Sequence, residues 1–207
     1  GKRVYVERFH DYTKTLKTYF DMIRAWQPEK PIFLIGHSMG GLISAAYLLE
    51  FQDELAGAVL SGPSIKVPDN ISAATIFIAN LLSTIMPGAG LVQLDSKGVS
   101  RDPAVVEAYV NDPLVFTGKT TARLGAELIK TMQDVTKQAA KITLPIMIAQ
   151  GSADKIIDPG CARLLYDLVG STDKTLKMYT GFYHEIFNEP EHKQVLNDVK
   201  TWIEEHQ

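Results

Sequence analysis

Apolar residues recur at three- and four-residue spacing along the first segment of the chain: Phe9, Tyr12, Leu16, Tyr19, Phe20, Ile23 and Trp26. That period predicts an amphipathic helix over 9–26. Gln27-Pro28-Glu29-Lys30-Pro31 ends it, because proline has no N–H to donate and clashes with the preceding turn. The unbroken run Ile32-Phe33-Leu34-Ile35 predicts a short strand buried on both faces, as in a parallel sheet. After a glycine-rich stretch, Leu42, Ala45, Ala46 and Leu49 return to helical spacing, and Ala58-Val59-Leu60 predicts a second strand. From 64 to 141 helical apolar stretches at 71–85, 105–109 and 124–132 alternate with Pro- and Gly-marked loops, and no strand is predicted. Strands follow at 146–149 and 176–179, with helices over 159–169 and 190–205. Strands alternating with helices imply right-handed crossovers and an α/β fold on a parallel sheet. The expected organisation is a core in two parts, 1–63 and 142–207, with a helical cap inserted at 64–141 over one end of the sheet.

Composition narrows the functional classes. The 207 residues are 45% hydrophobic and 22% charged, an ordinary globular mix long enough to bury a core without disulfide or metal. Lys and Arg number 21 against 24 Asp and Glu, a net charge of −3, which argues against a nucleic-acid binder. The single cysteine, Cys161, excludes an internal disulfide framework and a Cys-cluster zinc site, and is expected to pack as a small hydrophobe. No His-x-x-x-His pair or dinucleotide glycine motif occurs, so no cofactor is expected. The chain shows no charged-then-apolar leader. Its most apolar stretch, 71–86, carries Asn80, Ser83 and Thr84 and is too short to span a bilayer; a soluble, cytoplasmic protein is expected.

The candidate chemistry begins at Gly36-His37-Ser38-Met39-Gly40, a G-x-S-x-G turn with an apolar strand running in and a helical segment running out. Such a turn exposes a serine on a strained bend, which asks for small residues two places before and after. The following helix aims its N-terminus at the hydroxyl, so that the backbone N–H of Met39 can meet an oxyanion. A serine nucleophile needs a base and the base an orienting acid. His10 falls in the first helix, His37 within the turn, and His192 and His206 on the closing helix. His184 alone lies in a loop directly behind a strand, at the sheet edge where sites form, and is the expected base. Of the two aspartates behind the third strand, Asp158 precedes Pro159 and a helix, which makes it a cap. Asp154 has no such local task and is the expected acid. The order Ser38, Asp154, His184 is that of α/β-hydrolases.

These segments resemble the α/β-hydrolase superfamily and, within it, the monoacylglycerol lipases. The resemblance is carried by Gly36-His37-Ser38-Met39-Gly40-Gly41, by the Gly151-Ser152-Ala153-Asp154 stretch, by Asp173-Lys174-Thr175-Leu176-Lys177 leading to Tyr183-His184, and by Asn111-Asp112-Pro113-Leu114. It implies a serine ester hydrolase that cleaves single-chain fatty acyl esters through an acyl-enzyme, with Ser38 as nucleophile, His184 as base and Asp154 as its partner. It also implies a cap that covers the site and forms an acyl tunnel. Ile78, Leu82 and Ile85 are the expected tunnel-lining residues, and the same apolar stretch is expected to touch a lipid surface. The family sheet has eight strands, and this chain is expected to begin after the fourth; no His-Gly motif for a second oxyanion donor is found. The alternative is therefore a non-catalytic protein that binds an apolar ligand or a partner. The edge of the 32–35 strand then needs a cover: a second copy of the chain, a bound N-terminal piece, or the segment 1–8 with its Val4, Tyr5 and Val6.

Overall fold

The computed structural model describes residues 2–69 and 71–207. In chain order, helix α1 (His10–Trp26) leads to strand β1 (Phe33–His37), α2 (Met39–Phe51) and β2 (Gly57–Ser61). The inserted segment then contributes α3 (Ala73–Ile85), β3 (Gly90–Val92), α4 (Pro103–Asn111), β4 (Thr120–Thr121) and α5 (Ala122–Gln138). The chain returns with β5 (Ile146–Gly151), α6 (Gly160–Leu168), β6 (Lys174–Tyr179) and α7 (His192–Glu205).

Four strands form a parallel sheet in the order β1-β2-β5-β6. Side chains alternate across it, as strand geometry requires. Ala58, Leu60, Ile146 and Ile148 face Leu42, Leu48, Leu165 and α5 residues such as Val135, while Val59, Met147 and Ala149 face Val195, Val199 and Trp202 of α7. Two packed faces explain why β2 and β5 are wholly buried and, apart from Ser61 and Gln150, carry no polar side chain. β1 stands at the sheet edge, pairing only with β2 among the described residues, and its Ile35 is 52% exposed. The residues expected to shield that edge go elsewhere: the Val4 carbonyl accepts from Thr121 Oγ1 and Lys2 Nζ donates to the Gly88 carbonyl, while Gly1 lies outside the described residues.

The insertion departs from expectation in one respect. β3 and β4 pair antiparallel where no strand was predicted. With three and two residues they are too short to show an alternating pattern. The insertion is tied back to the core at the start of α1, where Glu127 of α5 accepts the Phe9 N–H. Cys161 lies buried in the core, and burial pushes its thiol up.

Candidate active site

The three parallel strands β1, β5 and β6 deliver Ser38, Asp154 and His184 to one edge of the sheet. Ser38 follows β1 directly and has φ 55° and ψ −120°, a backbone geometry that costs a non-glycine residue about 1–3 kcal/mol. It is held there by backbone bonds on both sides: Ser38 N–H donates to the Ser61 carbonyl, and the Ser38 carbonyl accepts from Gly41 and Ser64. The glycine requirement holds at one of the two motif positions and appears again at a third. A Cβ on Gly36 would meet Ser44 Oγ and the Gly40 carbonyl, and one on Gly41 would meet Pro63, whereas Gly40 has open space around it. Met39 opens α2, and the leading N–H groups of a helix have no carbonyl of an earlier turn to bond.

Asp154 and His184 are brought together: His184 Nδ1 lies 2.8 Å from Asp154 Oδ2, with both side chains buried. Asp154 accepts three further bonds, from the Ile156 and Ile157 N–H groups at Oδ1 and from Gln150 Nε2 at Oδ2. Burial works to raise its carboxyl, but the His184 contact and the Ile157 and Ile156 N–H groups outweigh it and hold the group below the usual carboxylate range. Gln150 is itself fully buried and spans the acid loop, donating also to the Ile157 and Asp158 carbonyls and accepting from Ala162. Asp158 does something different. Its Oδ1 accepts the Gly160 N–H at the start of α6, one residue earlier than a formal cap, and its other oxygen faces Lys66.

The His37 ring lies beside that of His184, tilted by 46° with centroids 4.6 Å apart, and its Nδ1 lies 3.2 Å from Ser61 Oγ. Burial first, and the neighbouring His184 second, lower the His37 pKa to about 4, so the ring is neutral at pH 7. Gly62, at φ +50°, closes the floor: a Cβ there would come within 3.3 Å of the His184 ring. Gln150, Gly62 and the His37 environment escaped the reading of the sequence. Only the strand-end signal Ser61-Gly62-Pro63 pointed toward one of them. His10 instead faces Glu50 and His206 faces Asp173, away from Ser38.

Two cavities meet at Ser38. One of about 520 Å³ is lined mainly by apolar side chains, among them Ile71, Ala79, Leu91, Leu124, Leu128 and Met132. The other, of about 130 Å³, is walled by His37, Ser96, Tyr109, His184 and Glu185. Among the described residues the Ser38 hydroxyl makes no hydrogen bond to His184, although both face the smaller cavity. Of the expected tunnel residues, Ile78, Leu82 and Ile85 do not line the large cavity; α3 turns Thr75 and Ala79 to it, and Ile78 and Ile85 point to solvent. Both faces of α3 are apolar, so periodicity located the helix without choosing the inner face. No described helix is long and apolar enough to cross a membrane, and no group of three or more metal-ligating side chains occurs among the described residues.

The family described as serine aminopeptidase, S33 (Hydrolase_4) matches residues 1–191. A monoacylglycerol lipase of Mycolicibacterium smegmatis is 40% identical over 206 residues, covering 100% of this chain and 74% of that protein. A monoglyceride lipase of Rattus norvegicus is 35% identical over 206 residues, covering 98% of this chain and 68% of that protein. The crystal structure of a Paleococcus ferrophilus monoacylglycerol lipase superposes with a TM-score of 0.86 at 30% identity, covering 97% of this chain and 76% of that one.

Proposed function

The chain belongs to the serine aminopeptidase, S33 (Hydrolase_4) family of α/β-hydrolases and is a carboxylic ester hydrolase, and from that premise we propose that Ser38, His184 and Asp154 are its catalytic triad. The Ser38 hydroxyl attacks the ester carbonyl while His184 Nε2 takes its proton. Asp154 holds the Nδ1–H, fixing the tautomer and stabilising the imidazolium. The Met39 N–H meets the oxyanion of the tetrahedral intermediate. Collapse expels the alcohol with a proton from His184 and leaves an acyl-enzyme. Water deprotonated by His184 then releases the carboxylic acid and restores Ser38. A neutral His37 against the base adds no like charge when the imidazolium forms.

The observation that carries this reading is the buried 2.8 Å His184–Asp154 pair placed beside a strained serine at the mouth of an apolar cavity. The substrates proposed are single-chain fatty acyl esters, monoacylglycerols first, with the acyl chain in the larger cavity. The outward apolar face of α3, with Phe77 70% exposed, supports docking of the protein on the lipid surface that presents them. A fluorophosphonate probe tests the nucleophile: labelling should map to Ser38, and both labelling and hydrolysis should vanish in Ser38→Ala. Labelling that persists in that variant overturns the assignment.

A further inference from the structure

Like Asp154, Glu189 has a side chain wholly removed from water, yet it touches neither Ser38 nor the His184 ring. Its Oε1 accepts the N–H groups of Tyr183 and Arg101, each at 3.0 Å, and its Oε2 accepts Arg101 Nε at 2.6 Å. Burying a carboxylate costs several kcal/mol unless donors of this kind meet it. Three charge-assisted bonds do, and their directions fix geometry as a greasy contact would not. Tyr183 is the residue before His184. The residue after it, Glu185, donates its N–H to the Val99 carbonyl at 2.8 Å, and Ser100 Oγ donates to the Asn188 carbonyl. Residues 99–101 thus grip the chain on both sides of His184, and the Arg101 guanidinium also lies 4.8 Å over the Phe182 ring.

The loop so gripped has little order of its own. Between β6 and α7 it contains one short 3₁₀ turn, Ile186–Asn188. A free loop of that kind would leave the base wandering, and a displacement of about 1 Å can cost 10²-fold in rate. Residues 99–101 belong to the inserted segment, the same stretch that supplies Leu94, Ser96 and Tyr109 to the two cavities.

We propose that Glu189 is a positioning residue that sets the reach of His184 toward Ser38 and, through Arg101, ties that reach to the inserted segment walling the substrate cavities. The proposal rests on the reading of His184 as the base. Glu189→Gln keeps the volume but puts an amide donor against donors. With active sites counted by phosphonate titration, kcat per site should fall by about 30- to 100-fold while KM stays within about twofold, and the proton resonance of the His184–Asp154 hydrogen bond should move or broaden. Arg101→Lys, which keeps the charge but loses the Nε contact, should give the same pattern more weakly, and serves if Glu189→Gln does not fold. Glu191→Gln removes the exposed partner of Arg101 and should leave kcat unchanged. Activity lost only in proportion to titratable sites, with kcat per site intact, overturns the proposal and makes Glu189 merely structural. Turnover that survives in His184→Ala would instead refute the reading on which it rests.

Discussion

The loops behind β1, β5 and β6 differ in kind from the segment inserted between β2 and β5. In the loops the polar atoms are committed: Asp154 accepts four bonds and Glu189 accepts three, and Gln150 near the end of β5 donates or accepts four more. In the insertion the helix caps, such as Ser72 accepting from Thr75 N–H and Thr121 accepting from Leu124 N–H, serve only their own helices, and large apolar side chains face solvent on α3 and around Leu94 and Leu114. Proton transfer needs atoms fixed to fractions of an ångström, whereas holding an acyl chain needs only apolar area, a non-directional demand. The two regions meet that pair of demands in different ways, and they join where Arg101 of the insertion bonds Glu189.

The largest effect expected within the loops separates its two aspartates. Asp154→Asn should lower kcat/KM by about 10⁴-fold, because the amide no longer enforces the His184 tautomer. Asp158→Asn, at the start of α6, should leave kcat within about twofold and cost roughly 0.5–1 kcal/mol in urea unfolding. Equal activity losses at the two positions would show that the acid loop acts as one unit and that the distinction between them is false.

A smaller effect, on stability, also belongs to the loop region. His37 has a folded pKa lowered to about 4, so between the unfolded value near 6.5 and that point the unfolded chain binds a proton that the folded chain refuses. Stability should therefore fall as pH drops from 6.5 toward 4, by up to about 3 kcal/mol from this group. The sign for Asp154 is the same but its window lies lower: its depressed carboxyl stabilises above the unfolded carboxylate value, and that is lost as pH falls through the folded one. Urea unfolding at pH 7.5 and 5 should show the loss in the wild type and a flatter dependence in His37→Gln. An unchanged slope in the variant would mean that the ring is protonated in place.

What the sequence could disclose follows the same division. The placement of Ser38, Asp154 and His184 at one end of the parallel strands was legible because each follows an apolar run in the sequence. The four strands of the parallel sheet were found, though β1 begins and ends a residue or two later than the run Ile32–Ile35 suggests, since Gly36 and His37 still pair with β2. Gln150 was not legible: it sits inside β5, where a lone polar residue in a buried strand gives no hint of which loop it serves. Glu189 was equally silent, because its partner Arg101 lies 88 residues away. β3 and β4 are held by pairing with each other rather than by a pattern of their own.

The smallest effects test the insertion, and they turn on which face of α3 meets substrate. Ala79 is buried and lines the large cavity, while Phe77, two residues earlier, projects to solvent. Ala79→Leu should shorten the space for an acyl chain, and each methylene denied a pocket is worth about 1–3 kcal/mol. The ratio of kcat/KM for long-chain over butyryl monoacylglycerol should fall by about tenfold, with butyryl turnover nearly unchanged. Phe77→Ser should leave that ratio alone for dispersed substrate and shift stability by less than about 0.5 kcal/mol, as an exposed substitution does. It should, however, weaken turnover of substrate presented in vesicles, where the outer face has a surface to meet. If Phe77→Ser changes chain-length preference and Ala79→Leu does not, acyl recognition lies on the outer face of α3. The insertion would then act on substrate before it reaches Ser38 rather than while it is held there.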